Sequence, residues 1–111
     1  MLSNEKTVEE SMAYLSDTDE EYARSSAYVK MAPYYLKLIK ATHFLNHTGT
    51  VAERESMAFS SVEYKNWLDQ LDEMTVKAET MEAKRESAQR EVDIWRTICA
   101  VSYTHLRAHE T

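Results

Sequence analysis

The chain has 111 residues with a single Gly, a single Pro and a single Cys, too little turn chemistry for a many-stranded sheet and too short a chain for two domains of ordinary size. Charged residues make up 29%, the formal net charge is −6 and the mean hydropathy is −0.58, so the chain reads as a well-solvated all-α protein with no run of about 18 apolar residues to span a membrane. The opening MLSNEKTVEE lacks the basic-then-apolar order of a signal peptide, and the lone Cys99 has no partner for an internal disulfide; both features point to a cytoplasmic protein.

Four Ser/Thr-x-x-Glu patterns mark helix starts, where the hydroxyl accepts from a free N–H of the first turn while the Glu reaches back to the cap. They are Thr7 with Glu10, Thr18 with Glu21, Thr50 with Glu53 and Ser60 with Glu63. These signals predict a short first helix over 8–15, a long second over 19–46, a short third over 51–59 and a long fourth over 62–100. Gly49, just beyond His47, supplies the left-handed residue that commonly ends a helix. Pro33 lies inside the second helix, where it removes a backbone hydrogen bond and is expected to kink the axis.

The fourth segment carries the strongest pattern. Tyr64, Leu71, Ala78, Arg85, Val92 and Cys99 recur every seven residues, and Trp67, Met74, Met81, Ala88 and Trp95 form a second series three residues later. Only Arg85 breaks this seam. A sustained heptad means a helix packed along its length against another, with a left-handed supercoil tendency. The second segment offers a matching side in Tyr28, Met31, Ala32, Tyr35, Leu38, Ile39, Thr42 and Leu45. The expectation is an antiparallel, coiled-coil-like helical hairpin over residues 1–100, with short flanking helices. So small a domain buries a modest fraction of its surface, which favours self-association or a protein partner along the seam.

Charge is distributed in blocks. Residues 1–21 carry −6, residues 22–52 carry +4 with no acid at all, and residues 53–100 carry −4. In the middle block Arg24, Lys30, Lys37 and Lys40 are interleaved with Tyr22, Tyr28, Tyr34 and Tyr35. Bases among aromatics can grip a phosphate backbone and stack bases, so these four are the candidate nucleic-acid contacts. The anionic chain favours another account, with the tyrosines in the seam and the bases facing the acidic helices. Asp72, Glu79, Glu86 and Asp93 repeat every seven residues as an acidic row, expected to be a solvated face. His43 and His47 share the end of the second helix, where cationic side chains interact well with free carbonyls. No phosphate loop, Cys pair or nucleophile elbow is present, and Cys99, expected to be buried at the last seam position, has no sequence-local His to activate it. No catalytic, cofactor-binding or metal-ligating residue is expected.

Two stretches resemble known sequences. TGTVAERE over 48–55, followed by a Glu/Lys/Ala-rich helix ending in Asp93-Ile94-Trp95-Arg96, and the opening Tyr14-Leu15-Ser16-Asp17-Thr18-Asp19-Glu20-Glu21, resemble small uncharacterised helical proteins encoded by tailed bacteriophages. The resemblance spans most of residues 7–100. It implies a bacterial-host cytoplasm and a context of phage DNA replication and recombination, and it assigns no active residue. Residues 101–111, VSYTHLRAHET, resemble translated sequencing-adapter read-through of the kind that ends unrelated metagenomic reading frames. The spaced pair His105 and His109 is therefore set aside as foreign, and the natural chain is expected to continue differently after Ala100. The resulting expectation is a non-catalytic helical interaction protein, with nucleic-acid binding through the second helix as the alternative.

Overall fold

The structure, a computed structural model, describes residues 4–110, with side chains described through residue 103. The described residues form three helices and no strand: α1 over Glu5–Asn46, α2 over Val51–Phe59 and α3 over Val62–Glu110. The all-α reading therefore holds. None of the described helices is long and apolar enough to cross a membrane.

The expected first and second helices are one. Asn4 caps α1, its Oδ1 accepting from the Thr7 amide at 2.9 Å, so the start lies before the Thr7 pattern. Thr18 does not cap a second helix: its hydroxyl donates to the Tyr14 carbonyl one turn back, at 2.6 Å. The intervening Ser16-Asp17-Thr18-Asp19 holds no Pro or Gly to stop the helix, and α1 also continues through Pro33. The α2 start is as expected, with Thr50 Oγ1 accepting from the Glu53 amide at 3.2 Å. At α3 the cap is Ser61, which accepts from the Tyr64 amide at 3.2 Å, whereas Ser60 closes α2. Gly49 adopts φ 123 in the turn after α1, and a Cβ there would run into the Glu53 carboxylate.

The chain divides into two compact units, one of Tyr22–Glu79 and the other of the segments before and after it. In the Tyr22–Glu79 unit, α1 and α3 meet in antiparallel order. Tyr28 bonds Gln70, Tyr35 stacks on Trp67 and His43 approaches Glu63. α2 is clamped to the end of α1 by Arg54, which lies 4.4 Å over the Phe44 ring and donates through Nε to the His47 carbonyl at 2.8 Å. Lys40 sits 4.8 Å over Phe59 and 3.9 Å from Glu55.

In the other unit Arg85 links the helices. Its Nη1 donates to the Leu15 carbonyl at 2.9 Å and to Thr18 Oγ1 at 2.8 Å, while Nη2 pairs with Asp19. The one residue that breaks the heptad of α3 is thus received by a polar pocket on α1, and Thr18, read as a helix cap, is part of that pocket.

On α3 the side chains at seam positions Tyr64, Trp67, Leu71, Met74, Ala78, Met81, Arg85, Ala88, Val92 and Trp95 are buried or half-buried; Cys99 is exposed, contrary to expectation. The seam has run out by that turn. On α1 the buried row overlaps the expected one at Ala32 and Ile39, with Tyr28 half-buried, and otherwise lies further round the helix. It consists of Val8, Leu15, Tyr22, Val29, Leu36 and His43 every seven residues, with Ser11, Thr18, Ser25, Ala32 and Ile39 three later, all buried or half-buried. Met31, Leu38, Thr42 and Leu45, expected in the seam, are instead exposed, and Tyr35 is exposed while still stacked on Trp67. Small residues at the second series let the helices approach closely, which turns the larger side chains outward. Val101 and Tyr103 are exposed, and the side chains of His105 and His109 lie outside the described residues.

Candidate interaction surface

One set of side chains that could recognise another molecule lies on α1 within the Tyr22–Glu79 unit. Tyr28 and Tyr35, seven residues apart, are separated by about 10.5 Å of helical rise, roughly twice an aromatic stacking distance. Trp67 of α3 fills that gap. Its ring lies 5.6 Å from Tyr28 at 10° and 4.9 Å from Tyr35 at 22°, so the indole is wedged between two phenols. The Tyr28 hydroxyl donates to Gln70 Oε1 at 2.8 Å, one turn along α3 from Trp67, which fixes the ladder at its inner end. Burial pushes the Tyr28 phenol above its ordinary 10.0, because the charged phenolate loses hydration there. Beside the ladder runs a groove of about 310 Å³, lined by Arg24, Ala27, Tyr28, Met31, Tyr35 and Trp67 among others.

Outward from this ladder α1 presents large apolar side chains to solvent, Met31, Tyr34, Leu38 and Leu45, with the outer side of Tyr35 beside them. Such a concentration on one helix face is what protein contact surfaces look like. Sequence reasoning missed Tyr34 as a surface anchor. It had Met31 and Leu38, but in the seam; Tyr35 does meet α3, through Trp67. Their exposure became legible only once the small Ser11, Thr18, Ser25 and Ala32 were seen to hold the core row.

The four bases do not converge. At 3.6 residues per turn Lys30 and Lys37 point within about 20° of each other, Lys40 about 60° beyond Lys37 and Arg24 about 120° from Lys30. Lys40 is engaged by Glu55 and Phe59, Lys37 lies 5.9 Å over Tyr34, and Arg24 lines the groove. His43 and His47 stack at 5.7 Å, and His43 Nε2 lies 3.8 Å from Glu63. Among the described residues no three His, Cys, Asp or Glu side chains are placed to hold a metal ion.

No protein-family model matches the chain, and neither a curated protein nor a solved structure matches it.

Proposed function

We infer that this chain is a non-catalytic helical interaction protein, built as an antiparallel coiled-coil-like hairpin and acting through the apolar face of α1. The observation that carries this reading is the exposure of Met31, Tyr34, Leu38 and Leu45 on a helix already anchored by another row of residues. These side chains contribute nothing to the core, and a large exposed apolar patch costs solubility unless something covers it. The Tyr28–Trp67–Tyr35 ladder fixes against α3 the helix that carries the face. A place in the bacterial cytoplasm, accessory to phage DNA metabolism, rests on the resemblance alone. Nucleic-acid binding draws less support, because Arg24 points about 120° away from Lys30 and Lys40 is engaged within the fold.

The test uses the full chain, immobilised and exposed both to host-cell extract and to a differently tagged copy of itself. Wild type and Glu82→Gln, an exposed substitution on α3, should retain the same protein. Leu38→Glu should lose it while keeping its helical circular dichroism. Equal capture by all three would refute the reading.

A further inference from the structure

The exposed face of α1 is itself a heptad. Ala27, Met31, Tyr34, Leu38, Ala41 and Leu45 are spaced four, three, four, three and four residues apart, and all six are exposed, with Tyr34 at 66%, Leu38 at 62% and Leu45 at 78%. At 3.6 residues per turn this stripe is centred about 160° round the helix from the buried row of Val29, Ala32, Leu36 and Ile39. Alternating spacings of four and three are what a second helix needs in order to lie alongside with a left-handed supercoil; a strand or a small ligand imposes no such period.

We propose that the helix covering this stripe is the same stripe of a second copy of the chain, packed antiparallel about a two-fold axis at the level of Leu36. This deepens the interaction reading above and rests on it. In that register Ala27 meets Leu45 of the other copy, Met31 meets Ala41 and Tyr34 meets Leu38, and every contact occurs twice, as a two-fold interface requires. Each small residue faces a large one. A parallel pairing would set Ala27 on Ala27 and Ala41 on Ala41, leaving gaps, with Tyr34 crowding Tyr34 between them.

The area is adequate. From their exposed fractions, and about 150–250 Å² for a fully buried aromatic, the six side chains offer on the order of 600 Å² per copy. Two copies bury about 1,200 Å², the lower edge of a stable specific interface. Charge tolerates a second copy. The stripe is flanked on one side by Tyr28, Tyr35 and Thr42 and on the other by Lys30, Lys37 and Phe44, with no acid anywhere in 22–52. About the two-fold, Tyr35 meets its own counterpart, and the single like-charge encounter is Lys37 with Lys37, two exposed side chains free to swing apart. Added salt therefore tightens this association slightly, whereas it would weaken docking of an acidic-flanked partner helix.

Sedimentation equilibrium of the full chain should give a dimer, unchanged or tighter at higher salt. Leu38→Glu, placing a carboxylate in both Tyr34 contacts, should weaken it at least about a hundredfold with helicity retained. Orientation is read in a Cys99→Ser background. A mixture of Met31→Cys and Ala41→Cys chains should form a mixed disulfide on mild oxidation. Neither should link to itself, because Met31 and its counterpart are about 15 Å apart along the axis. Self-linked Met31→Cys chains, a dimer indifferent to Leu38→Glu, or a monomer at every concentration would each overturn the proposal. A monomer that still captures a host protein through Leu38 would leave the interaction reading standing without the second copy; loss of both would remove both.

Discussion

Replacing Arg85 by Ala removes the guanidinium contacts to the Leu15 carbonyl, Thr18 Oγ1 and Asp19. Its size follows from what is left behind. The Arg85 side chain is 19% exposed while that of Asp19 is 67% exposed, so the carboxylate returns to water at little cost and the ion pair contributes at most about 1 kcal/mol. Thr18 still donates to the Tyr14 carbonyl, so its hydroxyl is not orphaned. The remaining loss is the bond to Thr18 Oγ1, the bond to the Leu15 carbonyl and the packed methylene stem, together about 2 kcal/mol. For a chain of this size that corresponds to a fall in Tm of about 6–12 °C. Arg85→Met keeps the stem and restores an apolar heptad position, and it should cost less than about 1 kcal/mol or be stabilising. Thermal unfolding followed by circular dichroism separates the two variants. In a double-mutant cycle Thr18→Ala should lose about half its effect in the Arg85→Ala background. An unchanged Tm for Arg85→Ala, or equal losses for Ala and Met, would show that the contact is incidental to stability.

Three further substitutions probe other parts of the fold. Trp67→Ala removes the wedge between Tyr28 and Tyr35 and should cost about 2–3 kcal/mol in urea unfolding, below the 3–5 of a fully buried aromatic because the indole is half-exposed; Trp67→Phe should recover most of it. Because burial lifts the Tyr28 phenol above 10.0, the folded state holds that proton more tightly than the unfolded state. Its contribution is complete below pH 10 and is lost as pH rises through the folded value, so the alkaline fall in the urea midpoint should be shallower in Tyr28→Phe than in wild type. Gly49→Ala places a Cβ at φ 123 against the Glu53 carboxylate and should cost at least about 1 kcal/mol, whereas Thr48→Ala, on an exposed neighbour, should leave the Tm almost unchanged.

The heptad of α3 is legible in the sequence because its large residues, Trp67, Leu71, Met74 and Met81, all fall on one side. Local chemistry also marks Thr50 as a cap and Gly49 as the turn, since both effects act within four residues. The helix of 19–46 is legible as a helix, but its orientation is not. That stretch carries two apolar heptads, one through Val29, Leu36 and Ile39 and another through Met31, Tyr34, Leu38 and Leu45, and the outer one holds the larger side chains. Periodicity alone therefore sets a seam that straddles the two, taking Ala32 and Ile39 from the inner row and Met31, Leu38 and Leu45 from the outer one. The tertiary structure decides in favour of the inner row because Ser11, Thr18, Ser25 and Ala32 continue it as small residues, allowing close approach along the seam. The same packing decides the start of α1. Thr18 has the sequence of a cap, yet a hydroxyl beside Arg85 is worth more inside an unbroken helix, where it receives the guanidinium and returns its own proton to the Tyr14 carbonyl. A cap signal is local and weak, at about 1 kcal/mol, and a long packed helix outweighs it.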